Sequence, residues 1–130
     1  MKSMLFVCVG NACRSQIAEG FAKAYGPKDL VVYSCGSRPA GFVASEAVET
    51  MKEKGIDISK QYSKGVDQIP LITFDYIVTM GCGDQACAYM PAKTRIDWQI
   101  PDPFGHGHDY FQKVRDEIEE KVRVVLKEIS

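Results

Sequence analysis

The chain has 130 residues, 45% of them hydrophobic and 25% charged, with a formal net charge of −1. That balance suits one globular domain over residues 1–130 and offers no basic footprint for nucleic acid or an anionic membrane surface. No window is apolar enough to span a bilayer, and the segment before Cys8 is too short for a signal peptide, so a cytoplasmic monomer is expected.

Leu5–Val7 reads as a short buried strand ending at Cys8. Ile17, Ala18, Phe21, Ala22 and Tyr25 recur at helical spacing and predict a helix over 15–25, stopped by Gly26-Pro27. Leu30–Ser34 reads as a second strand, followed by a Gly/Pro-rich loop over 36–41. Ala47, Val48 and Met51 mark a helix over 44–54, with Gly55 as its C-terminal cap. Phe74–Met80, rich in β-formers, is the clearest strand, and Lys93–Trp98 a fourth. From Tyr110 onward, Phe111, Val114, Ile118, Val122, Val125 and Leu126 line one face of a long amphipathic helix. Strands alternating with helices give an α/β fold, a parallel sheet with right-handed crossovers and helices on both faces. Ligands bind beyond the carboxyl ends of such strands. Cys8 and the loops after Met80 and Trp98 are therefore expected on one rim.

The stretch Cys8-Val9-Gly10-Asn11-Ala12-Cys13-Arg14-Ser15 joins the first strand to the first helix. Backbone N–H groups of such a turn, with the positive end of the helix, cradle a tetrahedral oxyanion. Arg14 adds a planar fork that matches two oxyanion oxygens. Thiols at helix N-termini and beside arginine ionise more readily, which suits Cys8 to nucleophilic attack and a covalent Cys–oxyanion adduct. The plain alternative is an inert buried thiol, but Cys, Gly, Arg and Ser occur together at a strand-to-helix junction. Asp102, fixed between Pro101 and Pro103, is the candidate general acid, protonated through burial beside a thiolate; the alternative is a simple turn initiator. Asp97 is a second candidate. Tyr110 and Phe111 are candidates for an aromatic wall.

Five cysteines in a chain without secretory features point to catalysis, redox work or metal binding. Cys82 and Cys87 share a glycine-flanked segment in which a disulfide can close and thiol–disulfide exchange can run. Two unrelated reduced thiols remain an alternative; so does a metal site with His106 and His108, although the spacing departs from familiar zinc patterns. Cys13 and Cys35 read as buried small residues.

The Cys8–Ser15 motif, the Asp102-Pro103 pair and the element order resemble the low-molecular-weight protein tyrosine phosphatase family across nearly the whole chain. Gln16-Ile17-Ala18-Glu19-Gly20 and Met80–Asp84 with Cys87 resemble its arsenate reductase branch; the phosphatases usually carry proline where Gln16 stands. The resemblance implies a four-stranded parallel sheet flanked by helices, a flavodoxin-like three-layer sandwich. It implies that Cys8 attacks arsenate held by Arg14 and the loop N–H groups, with Asn11 and Ser15 shaping the loop, while Asp102 protonates the departing oxygen. Cys82 then attacks Cys8, releasing arsenite, and Cys87 takes over Cys82 to present a Cys82–Cys87 disulfide to thioredoxin. The thioredoxin-coupled members usually place more residues between the last two cysteines than the four found here. The shorter spacing resembles branches that use a low-molecular-weight thiol with glutaredoxin. The alternative activity is phosphotyrosine hydrolysis through a Cys8 phosphoenzyme. No bound cofactor is expected beyond the external thiol reductant. Some members bind potassium near the loop. Asn11, Glu19 and Ser34 fit that pattern, but Tyr62 and Lys64 stand where a hydroxyl and a carboxylate belong, and the lysine replaces the cation's charge; no metal is expected.

Overall fold

The computed structural model describes residues 2–81 and 90–129, and these form four strands and three α-helices. They are β1 (Ser3–Cys8), α1 (Arg14–Tyr25), β2 (Val31–Gly36), α2 (Ser45–Lys52), β3 (Phe74–Thr79), β4 (Ala92–Asp97) and α3 (His108–Ile129), with a 3-10 turn at Val66–Gln68. The strand order is β2-β1-β3-β4 and every pairing is parallel. Each element falls within a few residues of its expected span. The 3-10 turn, too short for a periodic signal, was not anticipated.

β1 is central and buried throughout, which its unbroken apolar run requires. Successive side chains point to opposite faces. Met4, Phe6 and Cys8 join the core beneath the helices, whereas Leu5 and Val7 join Cys35, Ile69, Phe74, Ile77 and Met90 on the other side. The expectation of helices on both faces is met on one face by α1, α2 and α3. Among the described residues, the other face is covered by the segment around Val66 and Ile69, a third layer built from coil and a single tight turn. β4 is an edge strand and largely exposed; Lys93 and Arg95 keep that edge from pairing with another chain.

α3 buries Phe111, Val114, Ile118, Val122 and Val125 against the sheet and α1. Its Arg115 reaches the end of α2, donating to Thr50 O at 2.9 Å and Glu53 Oε1 at 2.7 Å. Strand order reverses between β1 and β3, the position at which a parallel sheet offers a crevice at its carboxyl ends. Among the described residues, no helix is long and apolar enough to cross a membrane.

Candidate active site

Cys8 ends β1 and Arg14 begins α1, so residues 9–13 form the turn at the crevice. Val9 and Gly10 are partly exposed while residues 11–22 are buried, which puts the opening of the site at Val9-Gly10. α1 has no side-chain cap and no acidic residue in its first turn, so nothing in those positions competes for its N-terminal N–H groups.

Asn11 sets the turn. Its φ of 49° lies in the left-handed region, which asparagine tolerates better than most residues. Its Oδ1 accepts from the Lys64 backbone N–H at 2.8 Å, which fixes the orientation of the amide, and from Gln16 Nε2 at 2.8 Å. Its Nδ2 donates to Ser15 Oγ at 2.7 Å and to Ser34 Oγ at 3.0 Å. A serine hydroxyl has one proton. Because Ser15 accepts from Asn11, its own proton is available to Cys8 Sγ, 2.9 Å away.

Arg14 is buried and joins three strand ends. Its Nη1 donates to Met80 O at 2.5 Å, just past β3, and to Ile100 O at 3.0 Å, just past β4. The expected convergence on one rim is observed for Cys8, Met80 and the loop after Trp98; the loop after Met80 lies mostly outside the described residues. These two bonds use Nη1 and leave Nε and Nη2 outside them.

Asp102 sits two residues beyond Ile100 and near enough to Cys13 to act on it electrostatically. The expected burial of Asp102 is absent. It is exposed, with Oδ1 accepting from Phe104 N at 3.1 Å in the turn that Pro101 and Pro103 flank. Asp97 accepts from Thr79 Oγ1 at 2.7 Å across the ladder, a polar residue at an exposed strand edge. Burial, followed by Asp102 and Cys8, pushes the Cys13 thiol up to about 12. The Cys13 side chain belongs to the core, which leaves its backbone for the anion. Cys82 and Cys87 lie outside the described residues.

Two supports escaped sequence reading. The first is the loop after β2, which runs alongside the anion loop: Ser37 N, Arg38 N, Ala40 N and Ala44 N donate to Cys8 O, Val9 O, Gly10 O and Ala12 O at 3.2, 2.8, 2.9 and 2.9 Å. Gly36 permits this approach, since a Cβ there would lie 2.5 Å from Val9 O. The second is the role of Gln16. Its Nε2 donates to Asn11 O at 3.0 Å and Tyr62 O at 2.9 Å, and its Oε1 accepts from Gln61 Nε2 at 2.7 Å. A proline there could make none of these bonds.

Lys64 is buried among the residues of the potassium pattern. Its Nζ lies 2.9 Å from Tyr62 O, 3.4 Å from Ser34 Oγ and 3.8 Å from Glu19 Oε1, and Ser34 donates in turn to Glu19. Burial holds the Lys64 amine below its ordinary range, with Glu19 opposing the shift. Of the expected wall residues, Phe111 is fully buried and Tyr110 half-buried beside His106. Helix packing claims Phe111, as its place in the apolar stripe of α3 requires.

A cysteine at the end of a central strand, an arginine at the head of the following helix and an aspartate two residues past the carbonyl that arginine holds thus gather at the carboxyl ends of a parallel α/β sheet. The family model of low molecular weight phosphotyrosine protein phosphatases matches residues 3–130, and the chain belongs to that family. Within it, the chain is 37% identical over 132 residues to a glutaredoxin arsenate reductase from Synechocystis sp., covering 100% of both. It is 43% identical to an arsenate reductase from Halalkalibacterium halodurans, covering 94% of this chain and 93% of the relative. A solved arsenate reductase in the phosphate binding state superposes with a TM-score of 0.89 at 37% identity, covering 100% of both chains.

Proposed function

We propose that this chain reduces arsenate to arsenite. The observation that carries the reading is the Ser15 hydroxyl, fixed by Asn11 and 2.9 Å from Cys8 Sγ, at the uncapped start of α1. The arsenate reductases among its relatives support it.

Arg14 and the N–H groups of residues 9–15 hold the oxyanion while Cys8 Sγ attacks arsenic. An S–As bond forms and an As–O bond breaks, the oxygen leaving as water with a proton from Asp102. Cys82 then attacks Cys8 Sγ. The S–As bond breaks with its electron pair on arsenic, so As(V) becomes As(III) as two thiols become the Cys8–Cys82 disulfide. Cys87 displaces Cys8 from Cys82, and an external thiol system reduces the Cys82–Cys87 pair. The donor is thioredoxin, or a low-molecular-weight thiol with glutaredoxin; the Synechocystis relative favours the second. Hydrolysis of phosphotyrosine is the second reading, favoured by the family's own activity. It needs Cys8, Arg14 and Asp102 alone.

The deciding experiment follows arsenate-dependent NADPH oxidation with each donor system, in wild type and Cys87→Ser. Turnover with thioredoxin that Cys87→Ser abolishes establishes the three-cysteine relay. Turnover with glutaredoxin that Cys87→Ser retains removes Cys87 and keeps the reductase. Silence with both donors leaves the phosphatase. Cys8→Ser is expected to abolish both arsenate turnover and aryl phosphate hydrolysis, whereas Cys82→Ser abolishes only the first. Equal loss in Cys82→Ser would make that residue structural.

A further inference from the structure

The N–H groups that face an anion are aimed by the carbonyls behind them, because N–H and C=O of a planar trans peptide point in opposite directions. Among the described residues no peptide bond is cis. The carbonyls of Cys8, Val9, Gly10 and Ala12 accept from backbone amides of the loop after β2, and Ser63 Oγ adds a second donor to Gly10 O at 3.0 Å. That turns the N–H groups of Val9, Gly10, Asn11 and Cys13 away from this loop. The peptide between Asn11 and Ala12 is held differently. Among the described residues Asn11 O has no backbone donor, and its hydrogen bond comes from the Gln16 side chain, with Nε2 at 3.0 Å. Asn11 and Gln16 are both fully buried, so this carbonyl depends on that one donor.

Gln16 is itself held. Its Nε2 carries two protons: Tyr62 O, at 2.9 Å, takes one, and Asn11 O shares the other with Asn11 Oδ1 at 2.8 Å. Its Oε1 and its backbone carbonyl accept from Gln61 Nε2 at 2.7 and 3.1 Å, which fixes the amide with its nitrogen towards Asn11. Asn11 Oδ1 is also bound by the Lys64 N–H at 2.8 Å, so without Gln16 the backbone carbonyl is the group that loses its donor. We propose that Gln16 is a positioning residue for the bound oxyanion. By tying back Asn11 O it aims the Ala12 N–H at the anion, and Gln61 holds Gln16 in the orientation this needs. This rests on the oxyanion reading of the Cys8 loop. A hydrogen bond to a charged group is worth about ten- to a hundredfold in an equilibrium, and one between neutral groups about two- to tenfold.

The test follows titration with inorganic phosphate by proton–nitrogen NMR correlation spectra, in wild type, Gln16→Met and Gln61→Met. Methionine keeps the side chain's bulk and removes its amide. In wild type the amide protons of Val9, Gly10, Asn11 and Ala12 are expected to move downfield together as phosphate binds. In Gln16→Met the Ala12 response is expected to be lost while the others persist, with phosphate bound about ten- to a hundredfold more weakly. Gln61→Met is expected to weaken phosphate about two- to tenfold and to shrink the Ala12 response alone. It alters only the outer partner, so it carries the test if Gln16→Met does not fold. A wild-type Ala12 response in either variant overturns the proposal. Loss of every response in parallel overturns it too, because Gln16 would then be supporting the whole loop. If no amide responds in wild type, the oxyanion reading falls and the proposal with it. Phosphate binding is measured without arsenate turnover, so failure of turnover counts against the reductase reading alone.

Discussion

At the scale of single residues, the site works by saturating the polar groups around one sulfur. Both lone-pair directions and both protons of the Asn11 side chain are engaged, so the Ser15 proton has Cys8 as its remaining partner. Cys13, only five residues away, shows the opposite treatment. Its thiol is buried and pushed up to about 12, so it stays neutral at every physiological pH. Cys13 is therefore expected to resist iodoacetamide at pH 7 in the folded protein and to label fully after denaturation. Mass spectrometry of the peptide containing it checks this; labelling in the folded state would contradict its burial. The pairing of Cys8, Arg14 and Ser15 was legible in the sequence because their spacing is set by one turn. The exposure of Asp102 was not, since it depends on what packs over the 101–104 turn and not on the flanking prolines.

At the scale of elements, the anion loop is a strand-to-helix turn held by the loop beside it. Gly36 is the point of closest approach, and a methyl group there would meet Val9 O at 2.5 Å and Asn11 N at 2.9 Å. Gly36→Ala is expected to destabilise the fold by about 1–3 kcal/mol, in the range of overpacked cores, and to weaken phosphate binding. A variant with wild-type phosphate affinity would show that the loop tolerates displacement. The α2–α3 contact carries a pH signature. Glu53, held by Gln112 and then by His108 and Arg115, is lowered from 4.5 to about 2. The unfolded chain then binds the proton more readily, so the contribution of this group is complete above about pH 4.5 and lost as pH falls towards 2. The gap in urea midpoint between wild type and Glu53→Gln should accordingly shrink from pH 5 to pH 2. A gap independent of pH would remove the charge of Glu53 from the α2–α3 contact. Helix periodicity placed α2 and α3 correctly, yet gave no sign of this pairing, because a carboxylate at a helix end and an arginine 62 residues later share no local pattern.

At the scale of the whole molecule, the site couples to stability because three strand ends and α1 meet at one guanidinium. A ligand that binds only the folded state stabilises it by mass action, about 2.7 kcal/mol at a hundredfold excess over its dissociation constant. Phosphate is expected to raise the melting temperature of wild type, and Arg14→Lys to need at least tenfold more phosphate for the same shift. Lysine keeps the charge but not the planar fork. An unchanged midpoint would remove Arg14 from anion binding. The sequence by itself determined the strand and helix order, the parallel sheet and the motif of nucleophile and arginine, because these follow from periodicity and from residues adjacent along the chain. Only the tertiary structure decided how Gln16, Ser34, Lys64 and the loop after β2 brace that motif. Those contacts join residues far apart in the chain, and hydrophobic pattern and turn propensity act only locally.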